Sequence, residues 1–406
     1  MDAKKIYNLN FWHATKNYGA NMTAFALQRV LEKLGFDAEL VNNRIDLDAK
    51  AYKNTSVVKF FKKYLKINSD KPSAVNLLND SSQIFIAGSD QIFRPRYTDD
   101  KMQEYLLDFV KPEFKKLAFA ASFGLNKTKF LEETPGDVIA KMCLSLRSFD
   151  FVSVREKSGV EICRDVFGID AQWVIDPVFI LDKSCYEDLI KNSTVDYTGK
   201  LVSYVLDKPE GYSNACQYLS DKYNSECVEL SGSGLPVENW LAAIKNCKIL
   251  LTDSFHGVCF AIIFNKPFIC LSNKTRGGAR FESIFEMLGI KDESIQSYDE
   301  ILRKNCIFNI DYECVNEKIA REAEKGIEVL KTALNTPVKI NNEKIAVRRN
   351  FLEIELLRVR DEATIKFQLK KVRWRIFCIL PVYAAKYSWK LLIYWSKQII
   401  GIFKRH

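Results

Sequence analysis

Short apolar, β-branched runs alternate along this chain with longer stretches in which apolar residues recur every three or four positions. That rhythm belongs to parallel strands joined by crossover helices. Met22, Phe25, Leu27, Val30, Leu31 and Leu34 recur at helical spacing, and Gly35 then supplies a C-terminal stop. Ala38–Val41 reads as a strand, followed by Gln83–Ala87, Lys116–Ala120, Phe151–Val154 and Trp173–Ile175, with Gly, Ser or Asp starting the turns. The lysine-rich segment from Val57 to Asp80 predicts a helix and a surface loop. After Asp176-Pro177 the pattern restarts with strands at Leu201–Val205, Glu226–Leu230, Ile249–Thr252 and Phe268–Leu271. Helices are expected at Val237–Lys245, Gly257–Phe264, Phe281–Leu288 and, at greater length, Asp311–Leu334. The pattern thus predicts an α/β protein with an N-terminal domain over 1–185, a second α/β domain over 186–335, and a tail over 336–406. Two such domains face each other across a cleft, and ligands of open α/β sheets sit beyond the carboxyl ends of the strands.

Charge changes the picture in one respect. The chain carries a formal net charge of +9, but 15 Lys+Arg stand against 5 Asp+Glu from Asn341 onward, leaving 45 against 46 in the rest. The globular part is therefore neutral, which argues against a nucleic-acid partner. The eleven cysteines form no C-x-x-C pair and only three histidines exist (His13, His256 and His406), so no metal cluster is predicted. The opening MDAKKIYNLN lacks an apolar core of signal-peptide length, so a cytoplasmic location with free thiols is expected.

Four loops after strands hold the candidate chemistry. Asn17-Tyr18-Gly19-Ala20 precedes the first helix, where glycine admits close backbone approach to a ligand, though these residues alone favour a simple helix-starting turn. In Gly88-Ser89-Asp90-Gln91, Asp90 can accept a proton from a sugar hydroxyl and Gln91 can orient one; alternatively Ser89 or Asp90 caps a turn. Arg155, at the end of Phe151–Val154, suits a carboxylate or phosphate, or else pairs with Glu156 or another acid. In Thr252-Asp253-Ser254-Phe255-His256-Gly257, Asp253 or Ser254 caps an apolar helix whose first N–H groups, with His256 among them, offer an anion site. Arg276, Gly277, Gly278 and Arg280 form a basic loop after the strand ending in Leu271. Ser231-Gly232-Ser233-Gly234 lacks a Walker lysine and reads as a connector.

Taken in order, NYGA with ALQ (17–20, 26–28), AGSDQIF (87–93), YLLDFV (105–110), KKLAFAASFG (115–124), SVREKSG (153–159), VIDPVF (174–179), WLAAIKNCKILLTDSFHG (240–257) and IIFNKPF (262–268) resemble the polysaccharide pyruvyl transferase family. The resemblance implies two facing Rossmann-like domains with parallel sheets, glycosyltransferase-B-like; the helical basic tail that follows them is read from its own residues. It implies transfer of the enolpyruvyl unit of phosphoenolpyruvate onto two hydroxyls of a sugar, as a pyruvate ketal, with release of phosphate and without a cofactor. In that chemistry Arg155 and Arg280, with Arg276, grip the anionic groups; His256 donates a proton or binds phosphate; Asp90 serves as base. Tyr18, Gly19, Ser89, Gln91, Ser254 and Gly257 complete the substrate-binding set. Phe93 stands where the family often has Trp, which is expected to alter how a sugar ring stacks. A nucleotide-sugar glycosyltransferase and a non-catalytic scaffold of polysaccharide assembly are the competing readings.

The tail lies beyond the resemblance. After Glu362 it has no acidic residue and ten Lys+Arg. On a helix, Lys386, Lys390, Lys397 and Lys404 fall within about 40° of one another, with Trp389, Leu392, Trp395 and Ile399 among the apolar remainder. Its longest uncharged stretch, Ile376–Ala385, is ten residues and contains Pro381. An interfacial helix on anionic lipid is expected rather than a span. The protein would then be peripheral at the inner face of the cell membrane, with a sugar or lipid-linked oligosaccharide as acceptor.

Overall fold

The run KIYNL, Lys5–Leu9 (β1), mixes Lys and Asn into a segment too short for the hydrophobic pattern to single out, yet it takes an interior place in the first sheet. In the computed structural model, residues 4–358 are described except 16, 192, 209–210, 231–233, 272–276, 296 and 304–306. The expected tail therefore lies, from 359 on, outside the described residues, as does Arg276. Residues up to Arg348 form one compact unit and those from Arg349 another; a helix runs through 342–358.

The first sheet joins β1 to β2 (Asp37–Leu40), β3 (Ile84–Ala87), β4 (Lys115–Ala121), β5 (Phe151–Val154) and β6 (Gln172–Trp173) in the order β2-β1-β3-β4-β5-β6. The second joins β7 (Leu201–Tyr204), β8 (Cys227–Glu229), β9 (Ile249–Thr252) and β10 (Phe268–Cys270) in the order β10-β9-β7-β8. Every pairing is parallel. Parallel strands need crossovers. Of the helices expected from periodicity, α1 (Tyr18–Lys33), α2 (Val237–Asn246) and α3 (Phe255–Ile263) connect successive strands, while α4 (Ala279–Leu288) and α5 (Tyr312–Asn335) follow the last one. The helices Gly136–Arg147, Lys183–Ile190 and Tyr212–Tyr223 were not expected from the pattern; their buried faces are narrow, with two or three buried residues each.

One hydrophobic cluster runs through both sheets' flanks, from Met22 and Leu27 on α1 through Val178, Phe179 and Tyr186 to Trp240 on α2 and Phe260 on α3. Tyr18 stacks on Trp240 with ring centroids 5.5 Å apart, and its hydroxyl donates to the Leu235 carbonyl at 3.0 Å. The two sheets are thereby held by shared apolar burial rather than by a hinge with a wet interface. Among the described residues no helix is long and apolar enough to cross a membrane.

Past α5 the chain returns to the amino ends of β4 and β5. Lys344, 1% exposed, donates through Nζ to both Asp150 oxygens at 2.9 and 2.8 Å and to the Phe114 carbonyl at 3.0 Å. Asp150 also accepts from the backbone N–H of Lys116 and of Lys339. A buried pair is costly to break because the surviving charge is left without a partner, so Lys344→Ala is expected to lower stability by about 3 kcal/mol. The shift of the urea midpoint checks this, and an unchanged midpoint would show the strap to be marginal.

Candidate functional site

The carboxyl ends of β3, β4 and β5 are shaped by close backbone approach. Gly88 follows β3 because a Cβ there would lie 2.3 Å from Asn8 Oδ1. Asp90 is held at φ 111° and bridges to Ala121 of β4. A non-glycine residue in this region is strained, by about 1–3 kcal/mol, and persists only where its surroundings hold it. The Asp90 carbonyl is held by the Ser122 and Ile92 N–H groups at 3.0 and 2.7 Å, and its side chain by Arg155, whose own side chain has 0% exposure. Arg155 Nη1 donates to Asp176 Oδ2 at 2.6 Å and to Ser89 Oγ at 3.2 Å, and Nη2 donates to Asp90 Oδ1 at 3.3 Å. The other Asp176 oxygen, Oδ1, caps the turn Pro177–Ile180 through the Val178 N–H at 3.0 Å. Burial alone would lower the Arg155 pKa, but Asp176 and Asp90 outweigh it and raise it. For Asp176, burial acts upward, and Arg155 and then His256 outweigh it, holding its carboxyl well below the usual carboxylate range.

The second sheet supplies the opposite wall. Ser254 caps α3, its Oγ accepting from the Gly257 N–H at 3.3 Å. Asp253 instead accepts from Leu206 and Asp207 N–H at 2.7 and 2.9 Å. Of the two capping candidates it is thus Ser254 that caps, and Asp253 ties the β9 end to the β7 end. His256 Nε2 lies 2.8 Å from Thr23 Oγ1 on α1, 3.5 Å from Arg155 Nη1 and 3.6 Å from Asp176 Oδ2. Gly19 makes room for this ring, since a Cβ there would stand 2.3 Å from His256 Nδ1. Gly257 is likewise forced, by Thr252 Oγ1 at 2.5 Å from its notional Cβ. Arg280 belongs not to a loop, as its glycine-rich neighbours suggest, but to the first turn of α4, with Nε donating to the Gly277 carbonyl at 3.3 Å. Burial, then repulsion from Arg155, pushes its pKa down to about 10, which leaves it charged at neutral pH. The Arg155 and Arg280 guanidinium carbons lie 4.9 and 5.1 Å from the centroid of the Phe255 ring, which cushions two like charges.

These walls enclose a cavity of about 280 Å³, near the lower end of small-molecule sites. Of the residues expected from sequence, Asp90, Gln91, Ser254, His256 and Arg280 line it. Arg155, Ser89, Gly19 and Gly257 are not among the lining residues: Arg155 and Ser89 hold Asp90 and Asp176, Gly19 makes room for His256, and Gly257 receives the Ser254 cap. Tyr18 is turned to Trp240. Phe93, expected to affect sugar stacking, is 1% exposed and packed on Phe123 and Phe149 at 5.3 and 6.2 Å, away from the cavity. Sequence reasoning did not assign site roles to Thr23 and Asp176, or to the lining residues Phe11, His13, Asn17 and Tyr97. Thr23 sits on a helix with no motif of its own, while Asp176 lay in a recognisable D-P turn that read only as a boundary.

The sequence profile of the polysaccharide pyruvyl transferase family matches residues 17–275. No curated protein matches the chain. Among solved structures, the S. aureus MnaA–UDP co-structure is similar at 14% identity over 83% of this chain and 99% of that one, with a TM-score of 0.48. The Neisseria meningitidis UDP-GlcNAc 2-epimerase bound to UDP-GlcNAc is similar at 11% identity over 86% and 100%, with a TM-score of 0.46.

The cavity also carries a titration signature. Burial, then the nearby Arg44 charge, pushes the His13 pKa down from 6.5 to about 4, against a smaller upward pull from Asp90. The unfolded chain binds a proton at this site below 6.5 while the folded one does not until about 4, so stability falls as pH drops across that interval. His13→Gln is expected to flatten this part of the stability–pH curve, measured by urea unfolding at stepped pH. An identical slope in the variant would contradict it.

Proposed function

The chain belongs to the polysaccharide pyruvyl transferase family, and we propose that its cavity transfers the enolpyruvyl unit of phosphoenolpyruvate to two hydroxyls of a sugar as a ketal. One observation carries this reading: a wall with Arg280, His256 and Asp253, the last already held by two backbone N–H groups, faces a wall with Asp90 across one small cavity. On the first, Arg280 and the opening N–H groups of α3 suit the phosphate and carboxylate of the donor. On the second, Asp90 is 4% exposed and its Oδ2 has no hydrogen-bond partner among the described residues, so it is placed to accept from a hydroxyl.

The steps balance without a metal or redox partner. His256 gives a proton to the methylene carbon, making C2 electrophilic, and the first sugar hydroxyl attacks C2 as Asp90 takes its proton. The C2–O bond to phosphate then breaks. The second hydroxyl adds to C2 and closes the ring. Of the two hydroxyl protons, one restores His256 and the other leaves on inorganic phosphate. In this reading Arg155 does not grip substrate; it is a positioning residue that ties Asp90 to Asp176 and keeps the Asp176 carboxyl charged beside His256. Expected outcomes are acceptor-dependent phosphate release from phosphoenolpyruvate, lowered by about 10²–10⁴-fold in His256→Ala. Gly19→Ala, which leaves every polar group in place but displaces the ring, should lose about 100-fold. Release of the nucleotide from a nucleotide sugar, with phosphoenolpyruvate left intact, would instead favour a glycosyltransferase.

The sequence of the tail supports a cytoplasmic protein that is peripheral at the inner face of the cell membrane, with an acceptor carried on lipid. Full-length protein is expected to sediment with phosphatidylserine-containing vesicles at low salt, and not with pure phosphatidylcholine. Replacement of Lys386, Lys390, Lys397 and Lys404 by Glu should abolish that binding, and binding that ignores lipid charge would contradict it.

A further inference from the structure

We propose that Phe11, His13, Asp90 and Tyr97 form the acceptor subsite, and that it takes a single uncharged pyranose ring whose reacting hydroxyl pair is read by His13 and Asp90. The inference rests on the donor reading above, which places phosphoenolpyruvate against Arg280 and α3.

All four residues line the same cavity as His256 and Arg280 but come from the first sheet. Two of them carry unpartnered polar atoms. His13 Nδ1 and Asp90 Oδ2 are each buried with no hydrogen bond among the described residues. Leaving such a group unmet costs about 1–3 kcal/mol, which a bound hydroxyl recovers. Ketal formation uses two hydroxyls, and these are two separate polar groups in one cavity. Their characters differ in a useful way. Asp90 is fixed by the Arg155 guanidinium at 3.3 Å. His13 is neutral at physiological pH because burial and Arg44 disfavour its charged form. A neutral imidazole exchanges hydrogen bonds with a hydroxyl without attracting an anion.

The loop that carries His13 is preorganised. Trp12, before it, is fully buried and donates through Nε1 to the Val41 carbonyl at 2.8 Å, while its N–H donates to Asn10 Oδ1 at 3.0 Å. Asn21 Nδ2 on α1 donates to the Trp12 carbonyl at 2.6 Å and to that of Ala14, after it, at 3.3 Å. His13 is thus fixed from both sides, as a residue that discriminates between substrates must be. Phe11 and Tyr97 add aromatic surface, Phe11 braced edge-on against Tyr105 at 5.1 Å and Tyr97 against Arg94 at 5.0 Å. Aromatic surface beside hydroxyl-reading groups suits the apolar C–H face of a sugar ring. An acidic sugar would meet the Asp90 carboxylate and be refused.

The test is phosphate release from phosphoenolpyruvate with methyl glycosides of glucose, galactose, mannose and N-acetylglucosamine, and with methyl glucuronide, alongside calorimetry of phosphoenolpyruvate alone. At least one neutral glycoside is expected to be turned over and the glucuronide refused. His13→Gln and Phe11→Leu should raise the acceptor KM by about 10-fold or more, one lost hydrogen bond or ring contact each, with phosphoenolpyruvate affinity unchanged within about two-fold. An unchanged acceptor KM in both variants, weakened donor binding in His13→Gln, turnover of the glucuronide, or no turnover of any neutral glycoside by protein that binds phosphoenolpyruvate would each overturn the subsite. Wild-type protein that shows no calorimetric binding of phosphoenolpyruvate would instead overturn the donor reading, and the subsite with it.

Discussion

The site depends on one buried cation. Arg155 at the end of β5 is fully removed from water, and a guanidinium there is tolerable only if carboxylates and hydroxyls surround it. Asp176, Asp90 and Ser89 meet that need, at 2.6, 3.3 and 3.2 Å. Through these bonds the ends of β3 and β5 and the turn at Pro177 are tied to one another. Asp90 is kept in a strained backbone conformation that it would otherwise leave. Glu156 adds a third carboxylate to the field around Arg155, and Arg280 from the second sheet adds a second guanidinium. The chemistry of the cavity and the docking of the second sheet are thus aspects of one electrostatic arrangement.

Packing makes that arrangement stiff. The shared core from α1 to α3, with Tyr18 laid on Trp240, brings His256 against Thr23 and Gly19. The glycines at 19, 88 and 257 stand where a single methyl group would collide with a side chain at 2.3–2.5 Å. Gly19 and Gly88 are placed by approach of a distant segment and Gly257 by the Thr252 and Ser254 side chains of its own loop; none of the three has positive φ. A site assembled at this tolerance is preorganised, which is how electrostatic stabilisation becomes effective in a small, water-poor cavity.

The strands between 84 and 270 were legible because each is a short β-branched or aromatic run ending in a polar turn, and the long crossover helices because their apolar spacing is regular. β1 escaped notice because KIYNL mixes Lys and Asn into a five-residue segment, and three helices because so little of each is buried. For the candidate site, the loops after the strands bring Asp90, Gln91, Ser254, His256 and Arg280 to one cavity. What spacing does not convey is direction. Arg155 looks from sequence like a ligand-binding arginine at a sheet edge, but its side chain is spent on Asp176 and Asp90. Phe93 follows Asp90 closely in the chain yet points into the core. Thr23 and Asp176 become part of the site only because α1 and the Pro177 turn are folded against α3, a relation between segments 80 to 230 residues apart that no local pattern encodes.

Phosphoenolpyruvate is proposed to bind against Arg280 and α3, which calorimetric titration of phosphoenolpyruvate into wild-type protein and Arg280→Met measures. Saturable one-to-one binding in the wild type, weakened by about 100-fold in the variant through loss of a charge-assisted pair, is the predicted result. No heat in the wild type, or equal affinity in the two proteins, would contradict it.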